Sequence, residues 1–143
     1  MKLSTKAQYG LKACYYLAEN YGKGNLSISR LRELTDVSDA YLEQLMIPLR
    51  RAGLIGSERG SAGGYFLIDR PEDVTAGEVV RALEDNLEIM DCISKKECPR
   101  KEVCPTCSVW NLLYNGINDI LDNVSLAQMI EDHRKVAEHE CGP

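Results

Sequence analysis

Four of the six cysteines in this chain fall within sixteen residues, a density that calls for a chemical explanation. They are Cys92, Cys98, Cys104 and Cys107, separated by five, five and two residues. Thiolates are the standard protein ligands of structural zinc and of iron–sulfur clusters. Structural zinc usually takes two C-x2-C pairs, whereas only Cys104 and Cys107 form such a pair here, and the wide spacing leaves room for something larger than a single ion, such as an iron–sulfur cluster. On the residues alone, zinc and a metal-free thiol switch stay open as alternatives.

Residues 86–107, which contain these four cysteines, have no sustained helical or strand periodicity. Such a segment cannot order itself by burying apolar side chains, so we expect a bound group to fix it. The other two cysteines have a simpler explanation. Cys14 falls on the apolar stripe of a helix, where a thiol packs as a small hydrophobe. Cys141 lies in a polar C-terminal tail, where only adventitious metal binding is expected.

The charge of the chain is unevenly distributed. The 143 residues are enough for one modest core, and their formal net charge is −5. Residues 1–70 carry a net charge of +3, and residues 71–143 carry a net charge of −8. A mildly basic half that faces nucleic acid, joined to an acidic half, gives this asymmetry, although uneven charge alone is weak evidence.

No segment is apolar over the roughly 20 residues that a membrane-spanning helix needs. The first residues lead into an amphipathic pattern and lack the apolar core of a signal peptide. We therefore expect a cytoplasmic protein with no membrane partner. Because that compartment keeps thiols reduced, the six cysteines are not expected to form a disulfide framework.

The first half of the chain has the pattern of a helix-turn-helix. Residues 5–8 have the T-x-x-Q form of a capping box, which predicts a first helix beginning there, with a buried stripe that reaches Tyr21. Ser27 and Ser38 are good N-caps for two further helices, and residues 35–37 form a tight turn between them. Two helices joined by such a short turn, after a leading helix, indicate a helix-turn-helix.

A β-hairpin is predicted directly after the second of these two helices. The β-prone residues 54–59 and 65–68 flank a glycine-rich segment, residues 60–64. A hairpin in this position is the wing of a winged-helix domain. From Val109 a helical period returns, and its apolar face suggests a partner helix, because so small a chain has little else to cover it.

We therefore predict a mainly α (α+β) fold, a winged helix-turn-helix followed by a long dimerisation helix. Its four parts are a DNA-binding domain over residues 1–85, a cysteine-rich cluster-binding loop over residues 86–107, the dimerisation helix and a short terminal helix over residues 108–130, and a flexible tail over residues 131–143.

The second helix of a helix-turn-helix lies in the major groove of DNA, with its N-terminal residues nearest the base edges. Gln44 is suited to pair with adenine and Glu43 to accept from cytosine. Arg59 at the wing tip is placed to enter the minor groove. The predicted DNA contacts are Lys2, Ser38, Tyr41, Glu43, Gln44, Arg51, Arg59 and Gly60. The competing interpretation is that Tyr41, Glu43 and Gln44 are only the solvated face of an amphipathic helix.

Pro48 conflicts with an uninterrupted recognition helix. A proline inside a helix removes the backbone hydrogen bond to the residue four positions earlier and clashes with that carbonyl. The sequence therefore predicts a kink or a break at Pro48, which leaves base reading by residues 38–44 intact but separates Arg51 from that part of the helix.

Several segments resemble, in order and at the right spacing, the IscR-type regulators, in the group that also holds nitric-oxide and cysteine-metabolism repressors. They are MKLSTKAQYG at residues 1–10, YLEQ at residues 41–44, LRRAGL at residues 49–54, RG at residues 59–60 and GGY at residues 63–65. The resemblance extends from residue 1 to about residue 130.

This resemblance implies a homodimer joined through the long helix, and a [2Fe–2S] cluster, favoured over [4Fe–4S], that changes DNA binding. It implies that Cys92, Cys98 and Cys104 are ligands. The fourth ligand in such regulators is commonly a histidine three residues after the last of these cysteines, where this chain has Cys107. An all-thiolate site should have a lower reduction potential and should lack a proton-linked ligand.

The predicted function is that of a repressor or dual regulator, without catalysis, that binds a pseudo-palindromic operator in double-stranded DNA. The cluster controls this binding, and the regulated genes are those of iron–sulfur cluster biogenesis. The alternatives are a metal-free thiol- or redox-sensing repressor, a nitric-oxide-sensing iron–sulfur repressor and a small iron–sulfur electron carrier.

Overall fold

The computed structural model describes residues 3–84, 87, 100 and 102–140. These residues form six helices, one 3₁₀ turn and one two-stranded antiparallel sheet. The elements in chain order are α1 (Thr5–Glu19), α2 (Ile28–Thr35), α3 (Asp39–Arg51), β1 (Ile55–Glu58), β2 (Gly64–Leu67), the 3₁₀ turn (Pro71–Asp73), α4 (Ala76–Leu83), α5 (Cys107–Asn123) and α6 (Leu126–Glu140). None of the helices in these ranges is long and apolar enough to cross a membrane. The predicted mainly α fold is confirmed.

The cap of the first helix is Ser4, one residue before the predicted cap Thr5. The Ser4 hydroxyl accepts a hydrogen bond from the Ala7 amide at 3.2 Å, while Thr5 is already helical. The predicted buried position of Tyr21 is wrong, because α1 ends at Glu19 and the Tyr21 side chain is 40% exposed. Cys14 is fully buried, which confirms its assignment to the core.

The helix-turn-helix forms as predicted, with α2 capped by Ser27 and α3 capped by Ser38. The turn contains Asp36, whose φ of +58° lies in the left-handed region that an aspartate tolerates better than most residues. The buried Thr35 hydroxyl donates to the Leu31 carbonyl at 2.6 Å, which ties the start of the turn back into α2.

Helix α3 continues through Pro48 without the break that the sequence allowed. Its buried side chains explain why the lost backbone bond is tolerated, because they hold both halves of the helix against the core. These side chains are Leu42, Leu45, Met46 and Leu49, each exposed by 1% or less. The helix therefore presents its whole opposite face, from Asp39 to Arg51, as one continuous surface.

The predicted wing is the hairpin of β1 and β2, paired in register from Ile55 opposite Leu67 to Glu58 opposite Gly64. The loop after α1 reinforces it, because the Leu26 amide and carbonyl exchange hydrogen bonds with those of Tyr65 at 2.9 and 2.8 Å. The base of the wing is therefore fixed to the helical body of the domain.

The two C-terminal helices are joined to the winged domain by a backbone bridge. The Ala76 amide donates to the Val124 carbonyl, and the Leu126 amide donates to the Val74 carbonyl, both at 2.8 Å. Leu126 is fully buried in the core that α1 and α3 also build.

The sequence predicted a short terminal helix followed by a flexible tail after residue 130, whereas α6 continues as an exposed helix to Glu140. Residues 131–140 bury little apolar surface, so local effects support the helix. They include strong helix formers and an i,i+4 ion pair between Glu131 and Lys135 at 3.1 Å. Residues 141–143 lie outside the described part of the chain.

Candidate DNA-binding surface and cysteine site

The outward face of α3 carries the two side chains predicted to read bases. Because Leu42 and Leu45 point into the core, Glu43 and Gln44 between them are exposed. Ile47 lies on the same side, with 55% of its surface exposed. Ile47 is not among the predicted DNA contacts, although its position outside the apolar stripe of α3 identifies it as a surface residue.

The N-terminal end of α3 is organised by hydrogen bonds and an aromatic contact. The Ser38 hydroxyl accepts from the Tyr41 amide at 3.3 Å, so it acts as the helix cap and keeps its own hydrogen for a further partner. The Tyr41 ring packs edge-on against Tyr9 of α1, with the ring centroids 6.2 Å apart. Tyr41 is half-buried, and part of its role is therefore to dock α3 onto α1.

A cleft of about 310 Å³ lies between α3 and β2. Its lining residues are Met46, Ile47, Arg50, Arg51 and Tyr65. Arg50 and Arg51 are both exposed at the C-terminal end of α3, where cations also interact favourably with the helix dipole. This part of α3 therefore presents two guanidinium groups beside an apolar floor, which suits contact with phosphate oxygens.

The wing tip places Arg59 and Gly60 on the surface. Gly60 has a φ of +107°, a conformation that favours glycine. The loop is tied down by Asn25, whose amide nitrogen donates to the Glu58 carboxylate at 2.9 Å and to the Ala62 carbonyl at 3.2 Å. The predicted contact Lys2 lies outside the described residues, so all predicted DNA contacts except Lys2 have a described position.

Cys104 and Cys107 lie at the start of α5, both half-buried, with Cys107 as the first helical residue. The Cys104 sulfur lies 3.4 Å from the Thr106 hydroxyl, and the Asn111 amide nitrogen donates to the Cys107 sulfur at 3.3 Å. Hydrogen bonds from the Thr106 side chain, then from its backbone, lower the pKa of the Cys104 thiol, because they stabilise the thiolate.

The other two predicted ligands, Cys92 and Cys98, lie outside the described residues. Within the described ranges, no three His, Cys, Asp or Glu side chains are grouped as a metal site would need. The described pair nevertheless fits half of a four-thiolate set. Both residues are half-buried, both sulfurs are hydrogen-bonded, and they lie at a helix N-terminus, whose dipole favours negative charge.

Helix α5 has two different apolar faces, whereas the sequence predicted a single apolar face. Trp110, Ile117 and Leu121 are half-buried in a single protomer. The large apolar side chains of the other face are exposed, and they are Val109, Leu112, Leu113 and Ile120. No residue of α5 is buried within the described part of one protomer.

Arg81 of α4 connects α5 to the winged domain. Its guanidinium donates to both carboxylate oxygens of Asp122, at 2.5 and 3.1 Å, and to the side-chain oxygen of Asn118 at 2.7 Å. These hydrogen bonds lower the pKa of Asp122. The helix that carries Cys107 is thereby linked to α4, which packs on both α1 and α3.

Residues 3–132 match the family model described as Rrf2, iron-dependent transcriptional regulator. The regulator CymR of Bacillus subtilis is 35% identical over 129 residues, which are 90% of this chain and 89% of that protein. The solved structure of that protein, described as the global cysteine regulator, superposes with a TM-score of 0.75 at 34% identity, over 90% of this chain and 95% of that one.

Regulators named IscR are similar to a comparable degree. That of Aliivibrio salmonicida is 33% identical over 133 residues, 93% of this chain and 79% of that protein. The solved structure of T. potens IscR superposes with a TM-score of 0.77 at 36% identity, and the match covers 100% of this chain and 93% of that chain.

The Ser38 cap can be tested by unfolding. We expect Ser38→Ala to lower the free energy of unfolding by about 1 kcal/mol, because the Tyr41 amide at the start of α3 loses its acceptor, and Ser38→Gly to lower it by only a few tenths. Urea denaturation at one fixed protein concentration measures both values. Equal stability of the alanine variant and the wild type would contradict the capping role.

Proposed function

This chain belongs to the Rrf2 family of transcriptional regulators, and we propose that it binds a pseudo-palindromic operator as a homodimer under the control of an iron–sulfur cluster. It is a DNA-binding transcription regulator and not an enzyme, as the names of its relatives indicate. The observation that carries the proposal is the start of α5, where two hydrogen-bonded thiols, Cys104 just before the helix and Cys107 at its first residue, precede an exposed apolar face.

The proposed cluster ligands are Cys92, Cys98, Cys104 and Cys107, and the proposed cluster is [2Fe–2S]. A cluster bound there supplies a redox-active and labile inorganic centre. Cys104 and Cys107 contribute thiolates at the positive end of the α5 dipole, where their negative charge is stabilised. The cytoplasmic location and the regulation of iron–sulfur biogenesis genes belong to the same proposal, with support from the relatives named IscR.

The proposed route from the cysteines to DNA passes through packed helices. Arg81 holds α5 against α4. Helix α4 in turn lies tightly on α1, because a side chain at Gly10 would overlap with Leu83. Helix α4 also packs on α3, the proposed recognition helix. A shift at the start of α5 would therefore alter how the DNA-reading surface is held, as packed helices transmit displacement.

On DNA, we assign base reading to Glu43 and Gln44 and minor-groove contact to Arg59. The remaining predicted contacts position the protein on the sugar–phosphate backbone, as most protein–DNA hydrogen bonds do. They are Lys2, Ser38, Tyr41, Arg51 and Gly60. The exposed guanidinium of Arg50 joins them, because it shares the cleft beside Arg51.

The proposed homodimer is formed by the exposed face of α5. Leu112 and Ile120 are 72% and 67% exposed in a single protomer, and Gly116 lies between them on the same side of the helix. A Cβ added at Gly116 would meet nothing within 4 Å among the described residues, so the protomer itself gives this glycine no packing role. A second copy of α5 crossing there would cover the whole apolar face and explain the glycine.

A second candidate function is a metal-free thiol-sensing repressor, and the similarity to CymR favours it. The two candidates differ in iron content. A cluster-bearing regulator purified without oxygen is coloured and contains iron and sulfide, whereas a metal-free thiol sensor is colourless and still responds to oxidation. A nitric-oxide-sensing regulator would also be coloured and contain iron, and its DNA binding would respond to nitric oxide.

Gln44→Ala should weaken binding to a duplex that the wild-type protein selects from a random pool, by about 1–3 kcal/mol, and should relax discrimination at one base pair of each half-site. Fluorescence anisotropy at one stated salt concentration measures both effects. Gln128→Ala on α6, also an exposed glutamine, is the matched control and should bind as the wild type does. Unaltered base preference in Gln44→Ala would remove Gln44 from the reading surface.

Leu112→Asp should convert the dimer to a monomer, because it places a charge in the centre of an apolar interface. Analytical ultracentrifugation at micromolar concentration measures the change. Asn115→Asp adds the same charge on an exposed position of α5 outside the apolar face, and it should remain dimeric. If Leu112→Asp sedimented as a dimer, α5 would not be the interface.

Cys92→Ala, Cys98→Ala, Cys104→Ala and Cys107→Ala should each abolish the visible absorption of protein prepared without oxygen, and each should alter operator affinity. Cys14→Ala is the matched control. Burial raises the pKa of the Cys14 thiol to about 12, so it stays protonated and cannot serve as a ligand. A colourless, iron-free wild type would exclude the cluster, and coloured wild type with unchanged DNA binding in all four variants would exclude the switch.

A further inference from the structure

We propose that Thr106 and Asn111 are positioning residues that raise the reduction potential of the proposed cluster by hydrogen-bonding to the sulfurs of Cys104 and Cys107 at the start of α5. This inference rests on the proposed function, since it requires Cys104 and Cys107 to be ligands. It concerns two residues that the sequence analysis did not identify.

The geometry provides one donor for each sulfur. The Thr106 hydroxyl lies 3.4 Å from the Cys104 sulfur, and the Asn111 amide nitrogen lies 3.3 Å from the Cys107 sulfur. A cysteine that binds metal has lost its proton, so its sulfur can only accept. The Thr106 hydroxyl therefore becomes the donor in the bound state. Thr106 is free to do so, because its side chain makes no capping bond to α5.

The contact of Asn111 differs from the usual behaviour of asparagine in this helix. Asn118 and Asn123 also reach four residues back, and each donates its side-chain amide to a backbone carbonyl, at 2.9 and 2.7 Å. Asn111 is half-buried and donates to the sulfur of Cys107 instead of a carbonyl. Helical spacing alone therefore does not account for the Asn111 contact.

The two donors counteract the effect of a fourth thiolate. Reduction adds an electron, and a site with Cys107 in place of a neutral ligand already carries more negative charge, which lowers its potential. A hydrogen bond to a ligand sulfur stabilises the reduced, more negative state more than the oxidised state, so it raises the potential. Asn111 donates to the sulfur of Cys107, the residue that stands where IscR-type regulators commonly have a histidine.

The test is a spectroelectrochemical titration of the full chain, reconstituted with iron and sulfide without oxygen. Thr106→Val and Asn111→Leu keep the side-chain volume and remove the donor. Each should shift the midpoint to a more negative potential, and at the wild-type midpoint the oxidised-to-reduced ratio should rise about tenfold, or about 59 mV for a one-electron couple. Thr106→Ser keeps the hydroxyl and should keep the wild-type potential.

Two variants on the same helix control for unspecific effects. Ser108→Ala and Asn115→Leu remove polar groups from exposed positions near the cysteines and should leave the potential unchanged. Wild-type potentials in both Thr106→Val and Asn111→Leu, with full iron content, would overturn this inference alone. Loss of iron from both variants but not from Thr106→Ser would make them binding residues and would also overturn it. A wild type that takes up no iron and sulfide would overturn the proposed function as well.

Discussion

The link between α4 and α5 is the constraint on which the rest of the structure depends. Without it, the helix that carries Cys107 would have no defined relation to the recognition helix. Arg81 and Asp122 are each 40% or more exposed, so their ion pair contributes only about 0–1 kcal/mol. The backbone bridge at Val124 and the burial of Leu126 supply the remaining stabilisation of the link between α4 and α5. The contacts of this link therefore lie near the C-terminal end of α5, and the end of α5 that carries Cys107 is less firmly packed.

This unequal anchoring has a physical consequence for sensing. An element that is buried along its whole length resists displacement, whereas a helix with no buried residue in its own protomer can respond to what binds at its free end. The start of α5 carries the two sulfurs of the proposed cluster site, and the exposed apolar face of the proposed dimer begins within a turn of them. In the proposed function both contacts act on the same helix, which would couple cluster binding to dimer geometry.

Local signals made much of the fold predictable. Ser27 and Ser38 were identified as caps because each needs only its own hydroxyl and the amides that follow it. Predictions that required knowledge of packing were less accurate. The continuity of α3 through Pro48 depends on burial of distant side chains, and α6 extends past residue 130 although its sequence pattern is polar.

For the candidate site, the sequence predicts which residue types would serve as ligands. Cysteine spacing identifies Cys104 and Cys107 as a pair, but no spacing rule identifies Thr106 or Asn111, since their role depends on the rotation of α5 about its own axis. That rotation also divides the apolar residues of α5 between two faces. A fourth thiolate adds negative charge to a half of the chain that is already acidic, at −8. The helix dipole and two neutral donors at the same point are the local means to stabilise that charge without a titratable group.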